Sequence, residues 1–154
     1  MRRKDKAITE QEEIETILRA GTICQLAFTA DPVPYIVTLN YGYYDNALYF
    51  HAAVEGRKLD LIRHHGQAAF TVALDRGLIT GDQACDWSIR YQSVVGSGTI
   101  ALLQSAEEKR LGLDRMMAHY SKDDFSYPDK MIQATAVFKL TIGEMTAKQS
   151  NMDR

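Results

Sequence analysis

Nowhere among the 154 residues do about 18 consecutive apolar side chains occur, so no segment has the length of a membrane-spanning helix. Cysteine is scarce: Cys24 and Cys85 are too distant for a CxxC motif and too few for a disulfide framework, and both are expected to stay reduced. A strong charge of either sign is missing as well. The formal net charge of -2 gives no global attraction to nucleic acid or anionic lipid, and the only basic cluster is Arg2-Arg3-Lys4. That charged start is not the apolar run of a secretory leader, which makes the cytoplasm the expected location. Repeats, low-complexity tracts and composition shifts are absent, so one domain over residues 1-154 is expected, ordered over about 7-146 with frayed ends. Metal ligands at a usable spacing are missing too, since His64 and His65 point about 100° apart on a helix and no carboxylate or thiol completes a set. Without a Ser-His-Asp or Cys-His order, covalent hydrolysis is not expected.

What is present is β-rich patterning. Thr9 and Glu12 read as a capping box before a short helix with Ile14, Ile17 and Leu18 on one face. Alternation then takes over at Cys24, Leu26 and Phe28, and after Asp31-Pro32-Val33-Pro34 it resumes at Tyr35, Val37, Leu39, Tyr41 and Tyr43. Asp45-Asn46 turns the chain into a strand from Ala47 to His51. A helix near Glu55 to His65 follows, then a strand from Ala68 to Leu74. A further β-like run from Ser88 to Leu103 is broken by Gly96-Ser97-Gly98, as at a bulge. Ser105 and Glu108 form a second capping box, with Leu113, Met116, Met117 and Tyr120 as the stripe of a third helix. Ile132, Ala134, Ala136, Phe138, Leu140 and Ile142 alternate along a closing strand. Hairpin order rather than βαβ alternation predicts a mainly β (α+β) fold, a six-stranded antiparallel barrel with about three short helices.

The most informative stretch runs from Leu48 to Ile62, where a strand narrows to Ala52 and Ala53, crosses Gly56 and enters a helix headed by Arg57 and Lys58. Cations in a first turn oppose the helix dipole by ~0.3 to 1 kcal/mol each, so two together make more sense with an anion between them. Gly96-Ser97-Gly98-Thr99-Ile100-Ala101 fits the GxGxxA spacing of dinucleotide sites, but it continues a strand instead of opening a helix, and the bulge reading is preferred. His51 ends the strand that feeds the anion-binding turn and divides evenly between ligand contact and barrel-rim residue. Met116 and Met117 read as core filler, and most tyrosines as sheet residues.

These residues resemble the pyridoxamine-phosphate-oxidase-related flavoproteins, and most closely the subgroup of nitroimidazole resistance proteins. The likeness spans nearly the whole chain and rests on Met1-Arg2-Arg3-Lys4-Asp5, Pro34 to Tyr43, Leu48-Tyr49-Phe50-His51-Ala52, Glu55-Gly56-Arg57-Lys58-Leu59-Asp60 and Tyr91 to Gly96. It implies a split β-barrel, a homodimer, and FMN in grooves between subunits. By position, Val37, Thr38, Leu39 and Asn40 would meet the isoalloxazine edge. Phe50, His51 and Ala52 would line the ribityl side, Gly56, Arg57 and Lys58 would hold the phosphate, and Tyr91 and Ser93 would add further contacts. His51 is the candidate catalytic residue. The implied activity is an FMN-dependent oxidoreductase passing electrons from a reduced nicotinamide to a small planar acceptor. The alternatives are a non-catalytic flavin-binding or sensing module, or a split barrel for haem or a deazaflavin. Thr38, His51-Ala52-Ala53 and His64-His65-Gly66 depart from the common pattern at places that remove no phosphate cation.

Overall fold

The computed structural model describes residues 4-152, so Arg2 and Arg3 of the basic start lie outside the described residues; within them the ends expected to fray are ordered, Lys4–Lys6 as a 3-10 turn and Ala147 to Ser150 as strand paired with Val94 to Tyr91. The chain forms β1 (Ala7–Ile8), α1 (Gln11–Ala20), β2 (Ile23–Phe28), β3 (Tyr35–Asn40), β4 (Gly42–Tyr44), β5 (Ala47–Ala53) and α2 (Arg57–His65). It continues through β6 (Gln67–Ile79), β7 (Ser88–Leu102), α3 (Ala106–Met117), α4 (Asp129–Ala134) and β8 (Thr135–Ser150). All pairings are antiparallel and make one sheet of eight strands in the order β3-β2-β6-β7-β8-β5-β4, with β1 on β8. The class matches the expectation, but the count is eight strands instead of six and four α-helices instead of three. The two outermost strands, β3 and β4, are joined through Tyr41 and yet not paired, so the barrel is split between them.

Alternation explains which face each strand buries. Cys24, Leu26 and Phe28 from β2 join Phe70 and Val72 from β6 and Phe138 and Leu140 from β8 in one interior, with Ile14, Ile17 and Leu18 of α1 packed into it. A smaller cluster of Leu113, Ile132 and Val137 fixes α3 and α4 on the outside of β8. The corner at Tyr41, which lacks ladder bonds, is held by side chains instead. The Tyr41 N–H donates to the Tyr120 hydroxyl (3.0 Å), the Tyr43 N–H to His119 Nδ1 (3.3 Å), and the Tyr41 hydroxyl to the Leu18 carbonyl (2.5 Å). His119 Nε2 in turn meets the Gly21 carbonyl at 2.6 Å, which ties the segment after α3 to the end of α1.

Several local expectations need correction. The Thr9/Glu12 box does not form: Glu10 occupies the N-cap, with no side-chain cap. The α2 helix starts at Arg57, two residues beyond Glu55. Ile132 and Ala134 belong to α4, whose single buried residue Ile132 is indistinguishable from a strand position by periodicity alone. Tyr120 lies beyond α3 and is exposed, because its hydroxyl bridges Tyr41 and the Thr22 carbonyl. β8 runs on to Ser150, past the expected end at Ile142, because Glu144 to Ser150 pair with Ser97 back to Tyr91. The bulge expected at Gly96-Ser97-Gly98 is present, with the extra residue, Gly143, on β8. The Ser105/Glu108 capping box forms as read.

Candidate functional site

The split creates two unpaired backbone edges. One edge of β3 bonds to β2 along its whole length and the other has no ladder partner. β5 pairs with β8 throughout but with β4 only from Ala47 to Tyr49, so Phe50 to Ala53 also present an open edge. Free strand edges offer alternating N–H donors and C=O acceptors to any planar ligand with complementary groups on its rim. From the second edge the chain passes through Val54, Glu55 and Gly56 into α2.

The start of α2 has the features of an anion site. Gly56 sits at φ 130°, where other residues are strained, and nothing lies within 4 Å of the position its Cβ would take. No side chain caps the helix, so its first N–H groups keep their donor capacity for an external acceptor. Leu59 and Ile62 anchor the helix in the core. Arg57 is exposed and Lys58 half-buried at its head. The Arg57 guanidinium lies 5.0 Å from the Tyr35 ring centroid, so a residue at the start of β3 orients a cation at the start of α2. That contact brings the two sides of the split together.

The other sequence-predicted residues divide by face. On β3, Val37 and Leu39 turn inward against the core, whereas Thr38 and Asn40 are exposed on the outer face. Phe50 is fully buried and stacks on Phe138 at 5.3 Å, so only its backbone is available to a ligand. Ala52 packs against the same core. His51 points the opposite way, towards α3, where its Nδ1 lies 3.2 Å from the Met116 sulfur. Tyr91 and Ser93 are not near this group within one chain. His51 pairs with Val137 and Tyr91 with Ser150 at the far end of β8, roughly 40 Å of strand contour away. Ser93 is buried there, and Lys148 Nζ sits 5.4 Å from the Tyr91 ring.

The outer sheet face, the partner of Arg57 on Tyr35, and the Met116 contact escaped the sequence reading. In the sheet, Ile36, Ala27, Ala69, Ser97 and Glu144 fall in one row across five strands, beside a second row of Thr38, Gln25, Thr71, Val95 and Thr146. These rows are small or polar except for Ile36 (64% exposed) and Val95 (50% exposed), and no helix covers them. A groove of about 690 Å³ opens on this face between Ala27, Ala69, Ser97 and Thr99. The strict period-2 exposure of β3 was the signal for such a face.

Burial raises the Cys24 thiol to about 12, which leaves it protonated and unreactive at neutral pH. Burial also raises Tyr41 and Tyr49. Among the described residues no group of three or more His, Cys, Asp or Glu is placed to hold a metal, and no helix is long and apolar enough to cross a membrane.

An antiparallel barrel split between β3 and β4, with a cationic, uncapped helix start beside the opening, defines the split-barrel class. Residues 10–149 match the family model described as pyridoxamine 5'-phosphate oxidase, and the chain belongs to that family. It is 33% identical to a protein from Bacteroides thetaiotaomicron described as a candidate 5-nitroimidazole antibiotic resistance protein, covering 93% of this chain and 86% of that one with a TM-score of 0.83. Lower identity but the same fold is found in an FAD and haem binding protein from Mycobacterium smegmatis (22% identity, 95% and 74% coverage, TM-score 0.85). A flavocytochrome from Azotobacter vinelandii is comparable (23% identity, 98% and 72% coverage, TM-score 0.85). No curated protein matches the chain.

Proposed function

We propose that this chain binds FMN in the split between β3 and β5 and uses it, as a homodimer, to pass electrons from a reduced nicotinamide to a small planar acceptor. The observation that carries the reading is the convergence of two open strand edges on the uncapped start of α2, where Arg57 and Lys58 stand ready for a phosphate dianion. A flavin fits these groups. Its rim bears both hydrogen-bond donors and acceptors, which suit the backbone of Val37 to Asn40, and Ala52 and Ala53 leave room beside β5. The vacant space over Gly56 suits a bulky terminal anion more than a second covered helix start.

A bound flavin would supply the electron transfer itself. The chain's share is to hold the phosphate through Arg57 and Lys58, align the ring against the β3 edge, and limit access of water to the split. His51, next to Ala52 on β5, is the side chain to which we assign proton exchange.

Dimerisation is supported by the uncovered outer face of β2, β3, β6 and β7, where Ile36 and Val95 are exposed among small residues that allow close sheet approach. In such a dimer we place half-buried Tyr91 of the second subunit beside the groove, whereas Ser93, buried in its own chain, has no side chain to offer there. A second reading is favoured by the neighbour described as an FAD and haem binding protein: the same split accepting one of those groups without turnover. Anaerobic mixing of the flavin-loaded protein with NADH or NADPH separates the readings. Loss of the oxidised flavin absorbance, and its return on adding a nitroaromatic acceptor, is the expected result; a spectrum unchanged by either nicotinamide refutes the reductase reading.

A further inference from the structure

We propose that Met116 is a positioning residue that selects the tautomer of His51, fixing the hydrogen on Nδ1 and leaving Nε2 a bare hydrogen-bond acceptor. The contact is His51 Nδ1 to Met116 Sδ at 3.2 Å. A thioether has lone pairs and no proton, so the pair forms a hydrogen bond only if Nδ1 carries the hydrogen. In neutral imidazole the other nitrogen is then unprotonated. No other hydrogen-bond partner of His51 is found among the described residues, so Nε2 is not engaged by another of their side chains.

The sulfur is held where it can impose this choice. Met116 is 4% exposed, on the last turn of α3. A Cβ at Gly42 would lie 2.4 Å from Met116 Cα and 2.6 Å from the Arg115 carbonyl oxygen, so α3 rests directly on the glycine that opens β4. Just beyond the helix, His119 and Tyr120 pin the chain to Tyr43 and Tyr41 through the bonds of the barrel corner. These contacts fix the backbone that carries Met116, and burial of its side chain limits the room for the sulfur to move away from His51. The chemical consequence is selectivity. Next to Ala52 the site favours a ligand or substrate that offers an O–H or N–H, such as a ribityl hydroxyl, over one that offers only an acceptor there.

The tautomer part stands without any cofactor, whereas the ligand preference rests on the flavin reading above. The test is long-range proton-nitrogen correlation NMR on protein carrying nitrogen-15 histidine, at about pH 8.5, above the ordinary histidine range near 6.5. His51 is assigned by its disappearance in His51→Gln. The expected wild-type pattern is a protonated Nδ1 and a bare Nε2. Met116→Leu keeps the bulk and removes the acceptor, and the ratio of the Nδ1–H to the Nε2–H form should fall about two- to threefold, as loss of one weak thioether hydrogen bond implies. A wild-type His51 protonated at Nε2 overturns the proposal even if the leucine variant fails to fold, and so does a folded leucine variant with an unchanged ratio. Adding FMN distinguishes the two layers: the expected tautomer with no FMN binding upholds the positioning role and defeats the flavin reading alone.

Discussion

Replacing Arg57 and Lys58 together by alanine removes both cations at the head of α2 while leaving Leu59 and Ile62, which anchor the helix, in place. The fold should survive, and relief of two unfavourable charge-dipole contacts makes the unliganded helix slightly more stable, by a few tenths to ~1 kcal/mol per cation. Ligand affinity should move the other way. A hydrogen bond to a charged group contributes about 1.5 to 3 kcal/mol. Arg57 is exposed and screened, which places it at or below the low end, and half-buried Lys58 falls within the range. A combined loss of about 3 kcal/mol, roughly a hundredfold in Kd, is the expected outcome. The assay is quenching of flavin fluorescence on titrating FMN, run beside riboflavin, which has the same ring and no phosphate. The double variant should lose affinity for FMN and bind riboflavin as the native chain does. Equal weakening of both ligands would refute the placement of the phosphate, because it would locate the damage at the ring or in the fold.

Other outcomes follow from particular contacts. Tyr35→Leu removes the ring that orients Arg57 and should weaken FMN by about 0.5 to 1 kcal/mol in the same titration, with riboflavin unaffected. Gly42→Ala sets a methyl against the backbone of α3 and should cost ~1 to 3 kcal/mol, read as a lower urea midpoint; native stability would show that α3 is free to shift. Ala69→Arg, in the centre of the outer sheet face, should convert a dimer into monomers in sedimentation analysis without unfolding the chain, and a surviving dimer would place the interface elsewhere. Backbone hydrogen bonds from Ser105 and Gln104 hold the Glu108 carboxyl below its ordinary value. Its contribution is therefore present above the unfolded value near 4.5 and is lost as pH falls through the folded one. Glu108→Gln should accordingly lower stability at neutral pH and flatten its fall on the acid side, where native and variant chains converge; equal stability at neutral pH would show that the carboxylate contributes nothing.

Legibility from sequence followed the range of the interactions. The barrel class was readable because Cys24, Leu26 and Phe28 alternate and Asp45-Asn46 is a hairpin turn, with both residues at positive φ. The cationic head of α2 was readable because Gly56, Arg57 and Lys58 are contiguous. The second half of β8 was not, since Gly143 to Ser150 carries few apolar residues and is held as strand by its ladder to β7. Likewise, no local rule links Tyr35 to Arg57, or His51 to a methionine on α3: each pair is made by the split and by the seat at Gly42. The same applies to Tyr91 and Ser93, which the resemblance placed at the flavin and which the fold sets at the far end of β8.

The central claim is that the split holds FMN, and the absorption spectrum and intact mass of the group that copurifies with the native chain test it most directly. The account predicts a flavin spectrum and the mass of FMN, at one group per chain. A haem band, the mass of FAD or a deazaflavin, or a chain that takes up no flavin when FMN is supplied in excess, would contradict it.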